Sequence, residues 1–192
     1  MESPVGCKSF QITRAKESSI TVFKSIRVVK SYTMNLCATP ADVFPLLCPM
    51  REYEWIEPWS CDMVFSASGV AENNAVFMTE FPAQGGRETW IVCRYEQDRA
   101  IEFIRVVPEH KVNRLDVALT AVQESSMVTW THTYTGLSEA GNQWIRCLTD
   151  DAYRTEKAIL EKLLNHYLKT GTMLKWADLG PEVDPYGQKH HH

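Results

Sequence analysis

Residues 127–136 read Met-Val-Thr-Trp-Thr-His-Thr-Tyr-Thr-Gly. Val128, Trp130, His132 and Tyr134 alternate with Thr129, Thr131, Thr133 and Thr135. A period of two is that of a strand with one buried and one solvated face. The buried set mixes large rings with an imidazole, and the other set is threonine throughout. One face of a sheet, with some polarity turned inward, is therefore the starting point.

Working backward, five more stretches have strand character, at 62–68, 75–81, 87–96, 100–107 and 111–122. Turn chemistry separates them: Gly69 with Asn73-Asn74, Pro82 with Gly85-Gly86, Gln97-Asp98, Pro108-Glu109 and Glu124-Ser125-Ser126. A further β-branched and aromatic run at 26–36 adds a seventh strand. Thr39-Pro40-Ala41-Asp42 then opens a short helix, with Thr39 as N-cap and Pro40 in the first helical position. Residues 51–59 read as a second short helix or turn ended by Pro58. Forward of the quoted strand, Gly141-Asn142 opens a long helix running to about Lys169 and closed by Gly171. Trp144, Leu148, Ala152, Ile159 and Leu163 mark its expected buried stripe. The predicted architecture is α+β, a curved antiparallel seven-stranded sheet gripping one long C-terminal helix. Residues 26–172 form the domain. Residues 1–25 are an N-terminal arm, with strand composition around residues 20–23, and 173–192 an extended tail.

Strand pairing assigns the inward face, because directly opposed residues share a face. The turn at Gln97-Asp98 pairs Arg94 with Ile101, Val92 with Phe103 and Trp90 with Arg105. The turn after Pro108 pairs Arg105 with Asn113 and Phe103 with Leu115. A turn at Glu124-Ser125 pairs Leu119 with Trp130, Val117 with His132 and Leu115 with Tyr134. The inward set is then Trp90, Val92, Phe103, Leu115, Val117 and Trp130, with Ile101, Leu119 and Val128, interleaved with the polar Arg94, Arg105, Asn113, His132 and Tyr134. These residues are the expected lining of a cavity between sheet and helix.

An inward Arg105 needs a partner, since an uncompensated buried charge costs several kcal/mol. Glu88 on the neighbouring strand and the face of Trp90 are the candidates. Arg105 is then either an anchor for the polar head of an apolar ligand or one half of a structural ion pair. His132 is either a general acid/base or a hydrogen-bonded core histidine. With Tyr134, these two are the candidate catalytic residues. Tyr53, Trp55, Ile56 and Trp59 form a lid over the cavity mouth or a plug in the end of the core.

Composition narrows the function classes. The chain of 192 residues carries twenty Lys and Arg against twenty-four Asp and Glu, a net charge of −4. That balance argues against general nucleic-acid binding, which needs a basic face. Residues 1–36 are basic, whereas 37–141 hold seven basic and fifteen acidic residues. The longest apolar run, residues 43–50, holds two prolines, so no membrane span is expected. The six cysteines include no CxxC pair, which gives no zinc spacing; no metal and no cofactor are expected. Without a secretory signal the expected setting is the cytoplasm, with reduced thiols. His190, His191 and His192 resemble a purification tag and are set aside. Six tryptophans, seven tyrosines and seven phenylalanines must fill a core or line a hole.

The order of elements and several motifs resemble the START-like superfamily, also called SRPBCC, which includes polyketide cyclase/dehydrase-type and birch-pollen-allergen-type proteins. The likeness covers residues 26–172. It rests on Ala38-Thr39-Pro40-Ala41-Asp42-Val43-Phe44 after the first strand and on Trp55-Ile56-Glu57-Pro58-Trp59. Further support comes from Thr89-Trp90-Ile91-Val92-Cys93-Arg94-Tyr95 and Ile101-Glu102-Phe103-Ile104-Arg105-Val106. Residues 134–142 and 165–171 look like an uncharacterised bacterial branch. The resemblance implies a helix-grip fold with a deep hydrophobic cavity for lipids, polyketides, hormones or other small apolar molecules. It carries over no catalytic residue, and the iron and Rieske ligands of ring-hydroxylating relatives have no counterpart here. Three functions stand open: a carrier or sensor of a small hydrophobic molecule; a cyclase or dehydratase in which Arg105 steadies an enolate and His132 or Tyr134 moves a proton; and a protein-interaction module of the chaperone-ATPase-activator type, its cavity filled by its own rings.

Overall fold

A computed structural model describes residues 23–57 and 59–179. Seven antiparallel strands form one sheet in the order β1-β7-β6-β5-β4-β3-β2. They are β1 Arg27–Leu36, β2 Asp62–Phe65, β3 Val76–Phe81, β4 Gly86–Glu96, β5 Ala100–Val107, β6 Lys111–Val122 and β7 Ser125–Gly136. From β2 to β7 the sheet is a meander, each strand pairing with the next. β1 crosses to lie against β7, from Arg27 opposite Thr135 to Leu36 opposite Ser126. The strand expected around residues 20–23 lies outside the described residues except for Phe23, which is in no strand.

The connection from β1 to the far edge closes one end of the sheet. It holds α1 Pro40–Val43 and 3₁₀ turns at Phe44–Leu47 and Glu52–Glu54. Thr39 is the extended residue before α1, but its hydroxyl donates to Asp42 Oδ2 at 2.7 Å instead of capping the backbone. Pro45 and Pro49 keep the segment from propagating as a helix.

The single long helix expected from residue 141 is two helices, α2 Glu139–Cys147 and α3 Asp150–Thr170. Leu148 leaves helical geometry at ψ 84, and Thr149 starts a new N-terminus, its Oγ1 accepting from Ala152 N at 3.1 Å. Such a cap is worth about 1 kcal/mol, and Asp150 and Asp151 in the first turn suit the helix dipole. Ser138 caps α2, accepting from Gly141 N at 3.2 Å. The break resets the helical phase. The stripe buried on α3 is Tyr153, Lys157, Leu160 and Leu164, with Leu163 beside it; Ala152 is exposed. Gly171 ends α3 in the left-handed region at φ 68, its N–H on Tyr167 O.

Two polar side chains on α3 clip it to the end of β1. Glu161 accepts from Tyr32 Oη at 2.7 Å and from Asn35 N at 2.8 Å. Asn165 accepts from Cys37 N and donates to Asn35 O, both at 2.9 Å. Of the expected extended tail, the described residues hold a 3₁₀ turn at Trp176–Leu179, where Trp176 N donates to Glu57 Oε2 at 2.9 Å, and residues 180–192 lie outside the described residues. Leu174, Trp176 and Leu179 pack against the core.

The inward face is as expected, with two corrections to its register. The β6–β7 turn sits one residue earlier than expected, at Gln123-Glu124, with Gln123 at φ 53. Leu119 therefore faces Val128, Val117 faces Trp130, and Leu115 faces His132. A slip of two residues preserves the face of every side chain. In the β4–β5 pair, Trp90 faces Arg105 and Val92 faces Phe103, but a bulge then turns Arg94 opposite Glu102. Arg94 is exposed, bonded to Glu96 at 2.8 Å, and does not belong to the inward polar set.

Candidate functional site

Four tryptophans meet between the sheet and the start of α3. Trp90 comes from β4, Trp130 from β7, and Trp55 and Trp59 from the connection after β1. With Glu52, Ile56, Phe81, Gln84, Arg105, Glu156, Lys157 and Leu160 they surround a pocket of about 40 Å3. Three of the four indoles are tied down: Trp55 Nε1 donates to Leu46 O at 3.0 Å, Trp59 Nε1 to Pro49 O at 2.7 Å, and Trp90 Nε1 to Thr79 Oγ1 at 2.9 Å. The buried N–H of Trp130 finds no acceptor among the described residues. Trp59 stands edge-on to Trp90, at 6.1 Å and 86°.

The charged groups of the pocket divide into paired and unpaired. Arg105 lies over the Trp90 ring at 3.7 Å and donates to Glu88 Oε2 through Nε at 3.0 Å and Nη2 at 2.5 Å. Its Nη2 also reaches Gln84 Oε1 at 3.0 Å. Lys111, from β6, bonds Gln84 O and lies 3.8 Å from Glu88 Oε1. Burial holds the Lys111 amine down at about 8, against the pull of Glu88. Lys157 bonds Glu156 at 2.8 Å, its ammonium 5.4 Å from the Trp130 ring centre.

Glu52 differs from all of these. It is 6% exposed and lines the pocket. Among the described residues its carboxyl makes no hydrogen bond, and no cation lies within the 4 Å of an ion pair. Burial pushes it up to about 8, although Arg105 and Lys157 pull it down. It is therefore largely a neutral acid at pH 7, able to donate a hydrogen bond into a Trp-lined space. The turn that carries it is well fixed. Glu54 accepts from Arg51 at 2.6 Å and from Tyr167 Oη at 2.5 Å.

Of the residues expected to line a cavity, Trp90, Arg105 and Trp130 border this pocket. Val92, Phe103, Asn113, Leu115, Val117, His132 and Tyr134 are buried on the same face of the sheet. Trp55 and Trp59 are buried at its end. Tyr53 is 43% exposed, its hydroxyl accepting from Cys61 N and donating to Cys61 O.

Trp130, His132 and Tyr134 stack in a column, with rings 14° and 8° from parallel. His132 Nδ1 meets Asn113 Nδ2 at 3.0 Å and Tyr134 Oη at 3.1 Å. With Nδ1 accepting, the ring proton sits on Nε2, which has no partner among the described residues. Burial, then Lys157 and Arg105, drive the imidazole well below its ordinary range, so the ring is neutral.

Among the described residues, two further depressions carry less chemistry. One of about 120 Å3 is lined by Phe44, Cys48, Arg51, Ala71, Tyr95 and Ile101; its charged residue, Arg51, is spent on Glu54. The other, about 240 Å3 on the outer face, lies among Arg114, Asp116, Thr131 and Thr133, with Arg114 held by Glu102 at 2.7 Å. Among the described residues, no helix is long and apolar enough to cross a membrane.

Glu52 and Lys157 were not legible as site residues. Lys157 had a usable signal, a cation four residues after Tyr153 and three before Leu160 on an apolar stripe. Glu52, in a single 3₁₀ turn, had none.

No family model and no curated protein matches the chain. Solved structures do. An uncharacterised protein from Rhizobium leguminosarum is 13% identical, with a TM-score of 0.55 over 76% of this chain and 97% of that one. The Aha1 dimer from Colwellia psychrerythraea is 17% identical, with a TM-score of 0.52 over 75% and 98%. Ara h 8.0201 is 11% identical, with a TM-score of 0.52 over 75% and 99%. At such identities the likeness is one of fold: the chain shares with these proteins a helix-grip fold, a curved antiparallel sheet closed around a C-terminal helix.

Proposed function

We propose that the chain binds a small, mainly apolar molecule in the pocket between the sheet and α3. One observation carries this reading: Glu52, a buried carboxyl with no partner, faces a space walled by four tryptophans. A buried carboxyl whose charge is only partly offset, here by Arg105 and Lys157, costs stability, and such groups concentrate where a ligand or substrate supplies what is missing. The tryptophans offer apolar area, and Glu52, Lys157 and Arg105 offer orientation, the usual division of labour in a small-molecule site.

The pocket volume favours a second reading as well. Drug-sized ligands occupy roughly 300–1,000 Å3, against about 40 Å3 here. A core filled by its own rings suits a module that acts through its surface. The same volume limits the first reading to compact ligands, or to larger ones that displace Trp59.

Native mass spectrometry of the protein as purified, with thermal shifts against a panel of single-ring and fused-ring compounds, separates the two. A bound small molecule, or a shift that grows when Trp59→Ala enlarges the pocket, supports the binding reading. No adduct and no shift across the panel, in either protein, overturns it and leaves the surface module.

A further inference from the structure

The charges around the pocket can be balanced group by group. Glu52 is faced by Arg105 from β5 and by Lys157 and Glu156 from α3, with Glu88 of β4 and Lys111 of β6 directly behind Arg105. Glu88 is bonded to Arg105, and Glu156 to Lys157. Three cations thus stand against two engaged carboxylates, and Glu52 decides the remainder. With Glu52 neutral, the buried cluster keeps one positive charge in excess; with Glu52 ionised, it is balanced.

That excess favours one class of ligand. A cationic ligand would meet Lys157 and Arg105, which can only donate hydrogen bonds. Two of the aromatic faces are already used by cations, Trp90 by Arg105 at 3.7 Å and Trp130 by Lys157 at 5.4 Å. A carboxylate does better on every count. It cancels the excess charge, accepts from Lys157, and accepts a short charge-assisted hydrogen bond from a protonated Glu52. Trp55 and Trp59 carry no cation and remain to pack against an apolar ring. A pocket of about 40 Å3 takes the carboxylate end and little more, so single-ring acids are the fitting probes.

Building on the small-molecule reading above, we propose that this pocket takes an aromatic carboxylate and that Glu52 binds it as the neutral acid, so that wherever Glu52 is ionised in the free protein each ligand enters together with one proton. The carboxyl is raised by burial to about 8, which places the linkage in an accessible range. The proton comes from solvent and rests on Glu52; no covalent bond is made or broken.

Titration calorimetry with phenylacetate tests this, with 2-phenylethanol and 2-phenylethylamine as neutral and cationic isosteres. Phenylacetate binds tightest of the three at pH 7, and its Kd rises about tenfold by pH 9 as Glu52 ionises. At pH 9, runs in two buffers of different ionisation enthalpy give an uptake of about 0.9 proton per ligand. Glu52→Gln keeps a hydrogen-bond donor but cannot titrate, so its pH slope and proton uptake fall to the smaller share of Lys111, whose amine is also held at about 8 behind Arg105. Carbon-13 NMR of the wild-type Glu52 carboxyl gives the same answer without a variant, its midpoint moving upward when phenylacetate is added. An isostere that binds as tightly as phenylacetate, an unchanged pH slope in Glu52→Gln, or a midpoint that does not move each overturns the proposal while leaving the pocket in place. Failure of all three probes to bind, in wild type and in Trp59→Ala, overturns the pocket reading itself.

Discussion

Replacing Glu52 by glutamine makes the protein more stable, and the gain grows with pH. In the unfolded chain this carboxyl ionises near its ordinary 4.5; in the folded protein it does so at about 8. Below 4.5 both states hold the proton, and ionisation contributes nothing to the difference between them. Between 4.5 and 8 the unfolded state gives up a proton that the folded state keeps. Stability therefore falls by about 1.4 kcal/mol per pH unit across that window and levels off above it. From pH 5 to pH 9 the wild type loses at most about 4 kcal/mol through this one group. The full figure is testable because the side chain is 6% exposed, too buried for water to screen it. Urea unfolding of wild type and Glu52→Gln at pH 5, 7 and 9 measures it, and the difference between the two removes every other titrating group. Near pH 5 the two should differ by less than about 1 kcal/mol, and by pH 9 the variant should lead by several. A difference that stays constant with pH would refute the reasoning, because Glu52 would then ionise alike in both states.

Arg105→Leu should cost about 3–5 kcal/mol, since it leaves Glu88 buried with only Lys111 at 3.8 Å; chemical denaturation reads this directly, and a loss under 1 kcal/mol would mean that Glu88 finds another partner. Gly141→Ala should cost about 3 kcal/mol or force α2 to shift, because a Cβ there would stand 1.7 Å from the backbone oxygen of His110; a melting temperature within 1 °C of wild type would contradict that packing. His132 should stay neutral from pH 8 to pH 5, visible as flat ring nitrogen-15 shifts, because burial holds it well below its ordinary 6.5. Only the unfolded chain takes up that proton, so stability associated with His132 is present above 6.5 and is lost as the pH falls below it. A ring that titrates near 6.5 would place water beside it.

The faces of the sheet were legible because strand periodicity is two: an error of two residues at the Gln123-Glu124 turn left Trp130, His132 and Tyr134 inward. A bulge changes parity by one, and nothing local to Cys93 announced it, so Arg94 was assigned to the wrong face. The break before α3 was hidden because Leu148 and Ala152 both suit a continuous stripe, whereas Thr149-Asp150-Asp151 reads as a helix start only once the stripe is distrusted. Trp55 and Trp59 stood out as bulky rings close together. Glu52 did not, because its character comes from what surrounds it: β4, β5 and α3 bring Trp90, Arg105 and Lys157 to a residue some forty to a hundred positions earlier in the chain.

The partner of β1 has a cost in time. Arg27 pairs with Thr135 and Leu36 with Ser126, so the first of the described strands to be synthesised pairs with the last of them. At about 5–20 residues per second, β1 waits roughly 5–20 seconds for β7 to emerge. During that interval it is an unpaired edge of the kind that recruits other chains. Its exposed row of Arg27, Val29, Ser31, Thr33 and Asn35 is polar at four of five positions, and with Lys30 on the other face it keeps the waiting strand hydrated. The polar side of β1 thus protects the nascent chain before it faces solvent in the finished sheet.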